Sequence, residues 1–520
     1  MLDEQTLNSA IDALEVLGTV SEGQHACHGP FTVFRVVRLS HSSPTPLPVP
    51  PASEEDLILE EVPTFCTDTL TVPSPLAGRA DWEFIHTSDD EAWAWLDGLC
   101  GDGYADPQEV ASVDMELSAL SRPFPSPSPS EESRLLHYWI TDVSNFMIAT
   151  PKQDNPFRTI LIPLALSAQT EHGRSSGHTA LLHGIYAIAA FSCAQQQALP
   201  TSSYSSLGME HHQLCLAHLQ RSLMEQSDSQ REAVLGTIIL LITVDCITGD
   251  SSAWRTHIRG GRRWLQSARK GPWKKRRSAS MLYQIFLVLE AIGTSASGLD
   301  ILGPELTDEF SYDGPFGVCS TTLHDDYRLD SLYGLTRPIF EAIVHINNLG
   351  LRATPAPPQE VEDLRLKILL QCDPRAMELD NVSNGTEREL VRHHAYVFYF
   401  ACRIHYERVL HRVPLEATQH LVRRGMEHLE AIAGLEMNIT AAGLMWPVVV
   451  IACEAENETL RKRLAWYFGK GQKHGIQGIS SAHQVVFEVW RRRDAMNAAS
   501  KANVRWQQVM TDLGFDLLLT

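Results

Sequence analysis

From Leu135 onward, apolar residues recur at helical spacing. Leu135, Leu136, Trp139, Ile140, Val143, Phe146 and Met147 fall at i, i+1, i+4, i+5, i+8, i+11 and i+12, one stripe on a helix of 3.6 residues per turn. The same rhythm predicts helices at about 158–168, 178–195, 209–225, 229–247, 251–269 and 279–292. It resumes at 334–350, 358–371, 386–411, 416–435, 440–456, 458–469, 481–497 and 502–510. No hairpin of alternating residues around Asn-Gly or Asp-Gly stands in 134–520, so the expected body is all-α, built from many helices. Segment 229–247 is apolar nearly all round, which predicts an enclosed central helix. Residues 293–331, rich in Gly, Ser and Asp, read as a surface excursion between two helical halves. No period of 20 to 50 residues repeats clearly, so the pattern does not support a helical-repeat solenoid.

The first quarter follows different rules. Beyond an amphipathic piece at Leu7–Leu17 there is little helical rhythm, and Ser121–Ser133 (SRPFPSPSPSEES) carries four prolines that remove backbone donors and bias their predecessors to extended conformations. We place the domain boundary there, with 1–133 an arm expected to be mostly disordered and 134–520 the helical body. Charge sharpens the division. Residues 1–133 hold 24 Asp and Glu against four Arg and no Lys, a net −20, which is the whole net charge of the chain and leaves 39 residues of each sign in the remainder. Within the arm, Glu54–Val62 (EEDLILEEV) alternates acid with aliphatic residues, the composition of disordered activation segments and also of ordinary acidic linkers. The aromatic and acidic stretch Trp82–Leu96 could also dock on a partner.

Tests for chemistry return little. The ten cysteines never approach within a C-x-x-C spacing, and the reading is of reduced thiols packed as small hydrophobes. Acidic residues Asp3, Glu4, Asp12 and Glu15 break any secretory signal near Met1, and the longest apolar run, Ala233–Val244, is short of the ~20 residues that span a bilayer, so no membrane association is expected. Neither G-x-G-x-x-G nor G-x-x-x-x-G-K-S/T occurs. The best metal candidate is His211, Cys215 and His218, at i, i+4 and i+7 on one helix face; three such ligands could bind zinc with a fourth from elsewhere, or could simply pack a helix surface. No metal or cofactor is assigned, no catalytic residue either, and the alternative of a helical metal-dependent or accessory enzyme rests on that face alone. One charge feature stands out: Ser251–Leu289 contains no acid, and ten basic residues lie between Arg255 and Arg277. The run ending in Lys274, Lys275, Arg276 and Arg277 reads as a nuclear import signal or an anion-facing patch, against the plainer reading of a solvated helix end. Direct DNA reading is disfavoured by the acidity of the whole chain.

Five phrases in order along 134–520 carry a resemblance. They are LLHYWITDVSNFM with NPFRTILIPLA; REAVLGTIILLITVDCITGDSSAWRTHIRGGRRWL; Tyr333-Gly334-Leu335; Leu444-Met445-Trp446-Pro447 with Ala452-Cys453-Glu454-Ala455; and Val489-Trp490-Arg491-Arg492-Arg493-Asp494. Together they resemble the fungal-specific transcription factor regulatory domain of the acriflavine-sensitivity-control type, over about three quarters of the chain. The resemblance implies an all-α regulatory domain, nuclear localisation, and regulation of a metabolic or biosynthetic pathway through other transcription factors, coactivators, a small-molecule effector or a second copy of the chain. Its positions here are Gly249, Trp254, His257, Gly260, Gly261, Gly334, Trp446 and Trp490, which we read as structural: the glycines permit close approach, and Trp254 supplies a large buried contact. The family's DNA-binding head, a binuclear zinc cluster, needs six cysteines; residues 1–133 contain Cys27, Cys66 and Cys100, so contact with DNA is expected only through a partner or a missing head.

Overall fold

The computed structural model describes residues 24–28, 33–37, 84–85, 129–150, 154–169, 175–197, 203–249, 253–268, 276–297, 327–352, 354–377, 385–435, 445–471 and 476–520. The chain divides into two units, residues 1–94 and 95–520. The first contains a three-stranded antiparallel sheet. Strand β1 (Gln24–His28) pairs with β2 (Val33–Val37), Gln24 opposite Val37 and His28 opposite Val33, and β2 pairs with β3 (Phe84–Ile85). The arm expected to be mostly disordered thus carries regular structure at those positions. Val33, Phe34, Val36 and Val37 are strand-favouring residues, and Gly29-Pro30 between β1 and β2 is a turn signal. The disorder expected of the rest of the arm, and the acidic stretch Glu54–Val62, lie outside the described residues.

In the second unit every regular element among the described residues is helical. Helix α1 (Pro129–Tyr138) runs through a π turn, Trp139–Val143, into Ser144–Phe146. It starts inside the proline-rich run that was expected to exclude a helix. Pro129 is the first helical residue, where a missing N–H costs nothing, so only the earlier prolines act as breakers. The short helices α2 (Pro156–Thr159) and α3 (Leu161–Leu166) follow. Asn155 explains the start of α2: its side chain accepts from the Phe157 amide at 2.9 Å and donates to the Ser144 carbonyl at 2.7 Å, capping one helix while tying it to the end of the last.

Then come α4 (Ser176–Gln197), α5 (Ser203–Glu225), α6 (Arg231–Thr248), α7 (Ala253–Ser267) and α8 (Arg277–Ser297). Of the expected surface excursion, 298–326 lies outside the described residues, and chain is described again at α9 (Leu329–Tyr333) and α10 (Arg337–Leu351). The second half holds α11 (Pro358–Gln371), α12 (Gly385–Tyr406, prolonged by a π turn Glu407–His411), α13 (Leu415–Leu435) and α14 (Trp446–Cys453). It closes with α15 (Glu458–Gly471), α16 (Gln477–Asp494), α17 (Ala498–Lys501) and α18 (Trp506–Asp512).

The apolar run predicted at 229–247 is the hub: α6 packs against α3, α4, α5, α7, α8 and α16, and Leu235, Ile238, Leu240 and Ile242 along it are fully buried. Each such side chain contributes roughly 1.5–3 kcal/mol of apolar transfer energy, so a helix enclosed on all sides anchors the half around it. The second half is organised on α12, which packs against α9, α10, α13 and α14. Contacts α8–α10 and α6–α16 join the halves. Among the described residues one helix, Arg277–Ala296, is long and apolar enough to cross a membrane, and 83% of its most apolar stretch is buried in the helical body.

Candidate functional site

The residues singled out in the sequence are mostly hinge points of the packing. Gly249 and Gly334 end α6 and α9 with φ +70° and +72°, the left-handed conformation that glycine adopts at least cost. A Cβ at Gly334 would overlap His394 and reach 2.8 Å from the Ala395 amide nitrogen, so α9 rests directly on the α12 backbone. Gly260 and Gly261 are buried on α7, and a Cβ on Gly261 would come 2.7 Å from Phe286 of α8. His257 sits beside His212, and burial, reinforced by that neighbour, depresses its pKa to about 3, so it is a neutral packing group. Trp446 is fully buried, its amide bonded to the Leu519 carbonyl at 2.8 Å.

Two of the sequence phrases meet. The Trp490 indole donates to the Ala452 carbonyl at 2.8 Å. Arg493, 1% exposed, donates to the carbonyls of Cys453 and, at 2.8 Å, Val504, and to the Glu454 carboxylate at 3.0 Å. Arg408 closes on the other Glu454 oxygen at 2.9 Å. One buried carboxylate is thus shared by two guanidinium groups, a junction that locks α14, α16 and the π turn after α12 together.

Of the basic run, Lys274 and Lys275 lie outside the described residues. Arg276 opens α8 and pairs with the buried Glu232 of α6, which also accepts from Ser278, and Arg277 begins the helix proper. The metal candidate is extended by a residue the sequence could not supply: His183 of α4 stacks on both His211 and His218, with ring centroids 5.2 and 5.7 Å apart, and its Nδ1 lies 3.0 Å from that of His211. The rings lie face to face, at 27° and 18°, instead of converging on one point, and Cys215 is wholly buried with its thiol pKa pushed up by desolvation. Among the described residues no group of three or more His, Cys, Asp or Glu side chains has the geometry to hold a metal ion.

The feature that sequence reading missed is a cleft of about 600 Å³ between the halves, walled by the ends of α8 and α10, the turn after α12, α18 and segment 513–516. Its floor is set by Asn347. The Asn347 amide donates to the Ala291 carbonyl at 2.9 Å, which turns its oxygen toward His405 Nε2, also at 2.9 Å. His405 therefore carries its proton on Nε2, and burial, with Arg505 adding repulsion, holds its pKa down to about 4. At one wall, Arg255 grips the Asp516 carboxylate through two bonds of 2.7 and 2.6 Å while the neighbouring Trp254 indole donates to the Asp516 carbonyl at 3.0 Å. Trp254 thus serves the cleft as well as the core. Arg255 Nη1 remains buried without an acceptor. A smaller hollow, sharing His405, Val409, Arg505 and Gln507, continues from the cleft toward Glu454 and Arg408. Arg505 stands where the two hollows join. Among the described residues it makes no ion pair, and desolvation, then repulsion from Arg412 and Arg408, lowers its pKa below the usual arginine value. No sequence signal marks this site, because its walls come from segments separated by up to 261 residues.

Comparison with known proteins places the chain in a group. The profile described as fungal specific transcription factor domain matches residues 134–520. Among curated proteins, arginine metabolism regulation protein II of Saccharomyces cerevisiae is 25% identical over 134 residues, a stretch that covers 25% of this chain and 15% of the relative. No solved structure matches.

Proposed function

Because this chain belongs to the fungal specific transcription factor domain family, we propose that it regulates transcription of a metabolic or biosynthetic pathway by contacts with other proteins and with a small effector, and not by catalysis. The match across 134–520 is the observation that carries the reading. The name of the yeast relative concerns arginine metabolism, which supports a metabolic target for the proposal. Nuclear localisation, partner transcription factors or coactivators, and self-association are parts of the same proposal, with Lys274–Arg277 as the import signal. An effector role for the helical body has physical support in the cleft: its volume lies in the range of small-molecule sites, and it sits between two halves whose relative packing a ligand could bias.

The test is a reporter assay. The full chain, fused to a heterologous DNA-binding domain, is expected to change reporter output, and removal of residues 1–133 to abolish that change. Unaltered output from the full fusion, or the same output after the deletion, would count against the proposal.

A further inference from the structure

We propose that the cleft between the two halves is a binding site for a small organic anion, a carboxylate or phosphate ester, seated on Arg505. The proposal rests on the regulator reading only for what the ligand would control. Three observations point to an anion. Arg505 is a guanidinium without an ion-pair partner among the described residues, placed where two hollows join. Around it the charge balance is positive: Arg255 and Asp516 neutralise each other, Arg408 and Arg493 share the single carboxylate of Glu454, and Arg505 is left over, with Arg412 adding to the field. Finally, Arg255, which also lines the cleft, has a buried Nη1 without an acceptor among the described residues. A buried donor left unmade costs about 1–3 kcal/mol, which an acceptor that reaches it would remove.

The size of the site selects among anions. A cavity of about 600 Å³ is the size of a small-metabolite site. A planar guanidinium fork binds carboxylate or phosphate oxygens in pairs, which distinguishes either from chloride. The neutral amides of Gln507 and Gln508, also on the wall, suit the polar remainder of such a molecule. Because α8, α10, α12 and α18 all contribute to the walls, an occupant would contact both halves at once.

Purified full-length chain is titrated by calorimetry, at constant ionic strength, with citrate, 2-oxoglutarate, inorganic phosphate, glucose 6-phosphate and, as the neutral control, glucose. At least one of the anions is expected to bind saturably while glucose does not, and the carboxylate and phosphate arms show which source of oxygens is preferred. In R505Q the affinity is expected to fall roughly ten- to hundredfold, the loss of one charge-assisted contact, and R505K to recover part of it. Arg505 is exposed and unpaired, so R505Q should melt as the wild type does without ligand. Q507A offers a second reading at the same wall. Failure of every anion to bind, or equal affinity in wild type and R505Q, overturns the inference. Binding is read without transcription, so that failure leaves the regulator proposal standing, and failure of the reporter assay leaves the binding result standing.

Discussion

Replacing Arg493 by methionine tests the junction that joins α14 to α16. The guanidinium is 1% exposed and serves the Cys453 and Val504 carbonyls and the Glu454 carboxylate, itself 5% exposed. Methionine fills most of the volume but donates nothing. Two buried carbonyls then lose a donor, at about 1–3 kcal/mol each where no other partner takes over, and a buried carboxylate loses one of its two cations. Breaking a buried ion pair from one side costs about 3–5 kcal/mol, but Arg408 remains at 2.9 Å from Glu454, which cuts that part well below the range and, with the two carbonyls, leaves an expected total of about 4 kcal/mol. For a body of this size that corresponds to a drop of about 5 °C in Tm, measured by calorimetry or by circular dichroism at 222 nm. The double variant R493M/E454L removes the carboxylate that still holds Arg408, strands that largely buried guanidinium and should therefore be less stable than R493M, by about 1–3 kcal/mol. A single variant that melts within about 1 °C of wild type would refute the assignment of Arg493 as a structural hub, and a double variant as stable as the single one would refute the electrostatic part of the reasoning.

Glycines separate steric from conformational cost. G334A should destabilise by about 3 kcal/mol or more, since a Cβ there overlaps α12, whereas G514A, with φ +71° but open space around it, should cost only about 1 kcal/mol, both read from denaturant unfolding. The histidine stack sets a pH dependence. Burial, then His211 and His218, lowers the His183 pKa to about 3, and burial lowers that of His211 to about 4, while unfolded imidazoles titrate near 6.5. As pH falls from about 6.5 toward 4 the unfolded chain takes up protons that the folded chain refuses, so stability is full above that window and declines through it, by up to about 1.4 kcal/mol per pH unit for each group. Unfolding at pH 7.5 and 5.5 should show a smaller decline in H183Q/H211Q than in wild type; an equal decline contradicts the reading. D516N weakens the partly exposed grip of Arg255 and should cost about 1 kcal/mol, with faster amide hydrogen exchange confined to residues 513–520.

Helical periodicity located the elements because most helices here bury a face and leave another wet. Helix α11 was predicted at its observed bounds, 358–371, and α6 lies within two residues of its expected ends. Periodicity could not show the π turns at Trp139–Val143 and Glu407–His411, where the apolar stripe continues while the hydrogen bonding changes. Nor could it show the late start of the last helix, expected at 502 and observed at Trp506: residues 498–501 form a separate turn capped by Asn497, whose side chain accepts from the Ser500 amide at 3.0 Å. The structural glycines and tryptophans were legible one at a time; their partners were not. Trp490 with Ala452, and Trp254 with Asp516, are pairings of distant segments that spacing does not encode. The cleft was illegible for the same reason. Arg505 looks like any surface arginine in sequence and becomes distinctive only when every neighbouring carboxylate is seen to be taken.

Transcript levels test the central claim most directly. In cells lacking the gene, a restricted set of metabolic transcripts should change, and reintroducing the full chain should restore them. An unchanged transcriptome, together with turnover of a metabolite by the purified chain, would contradict the account.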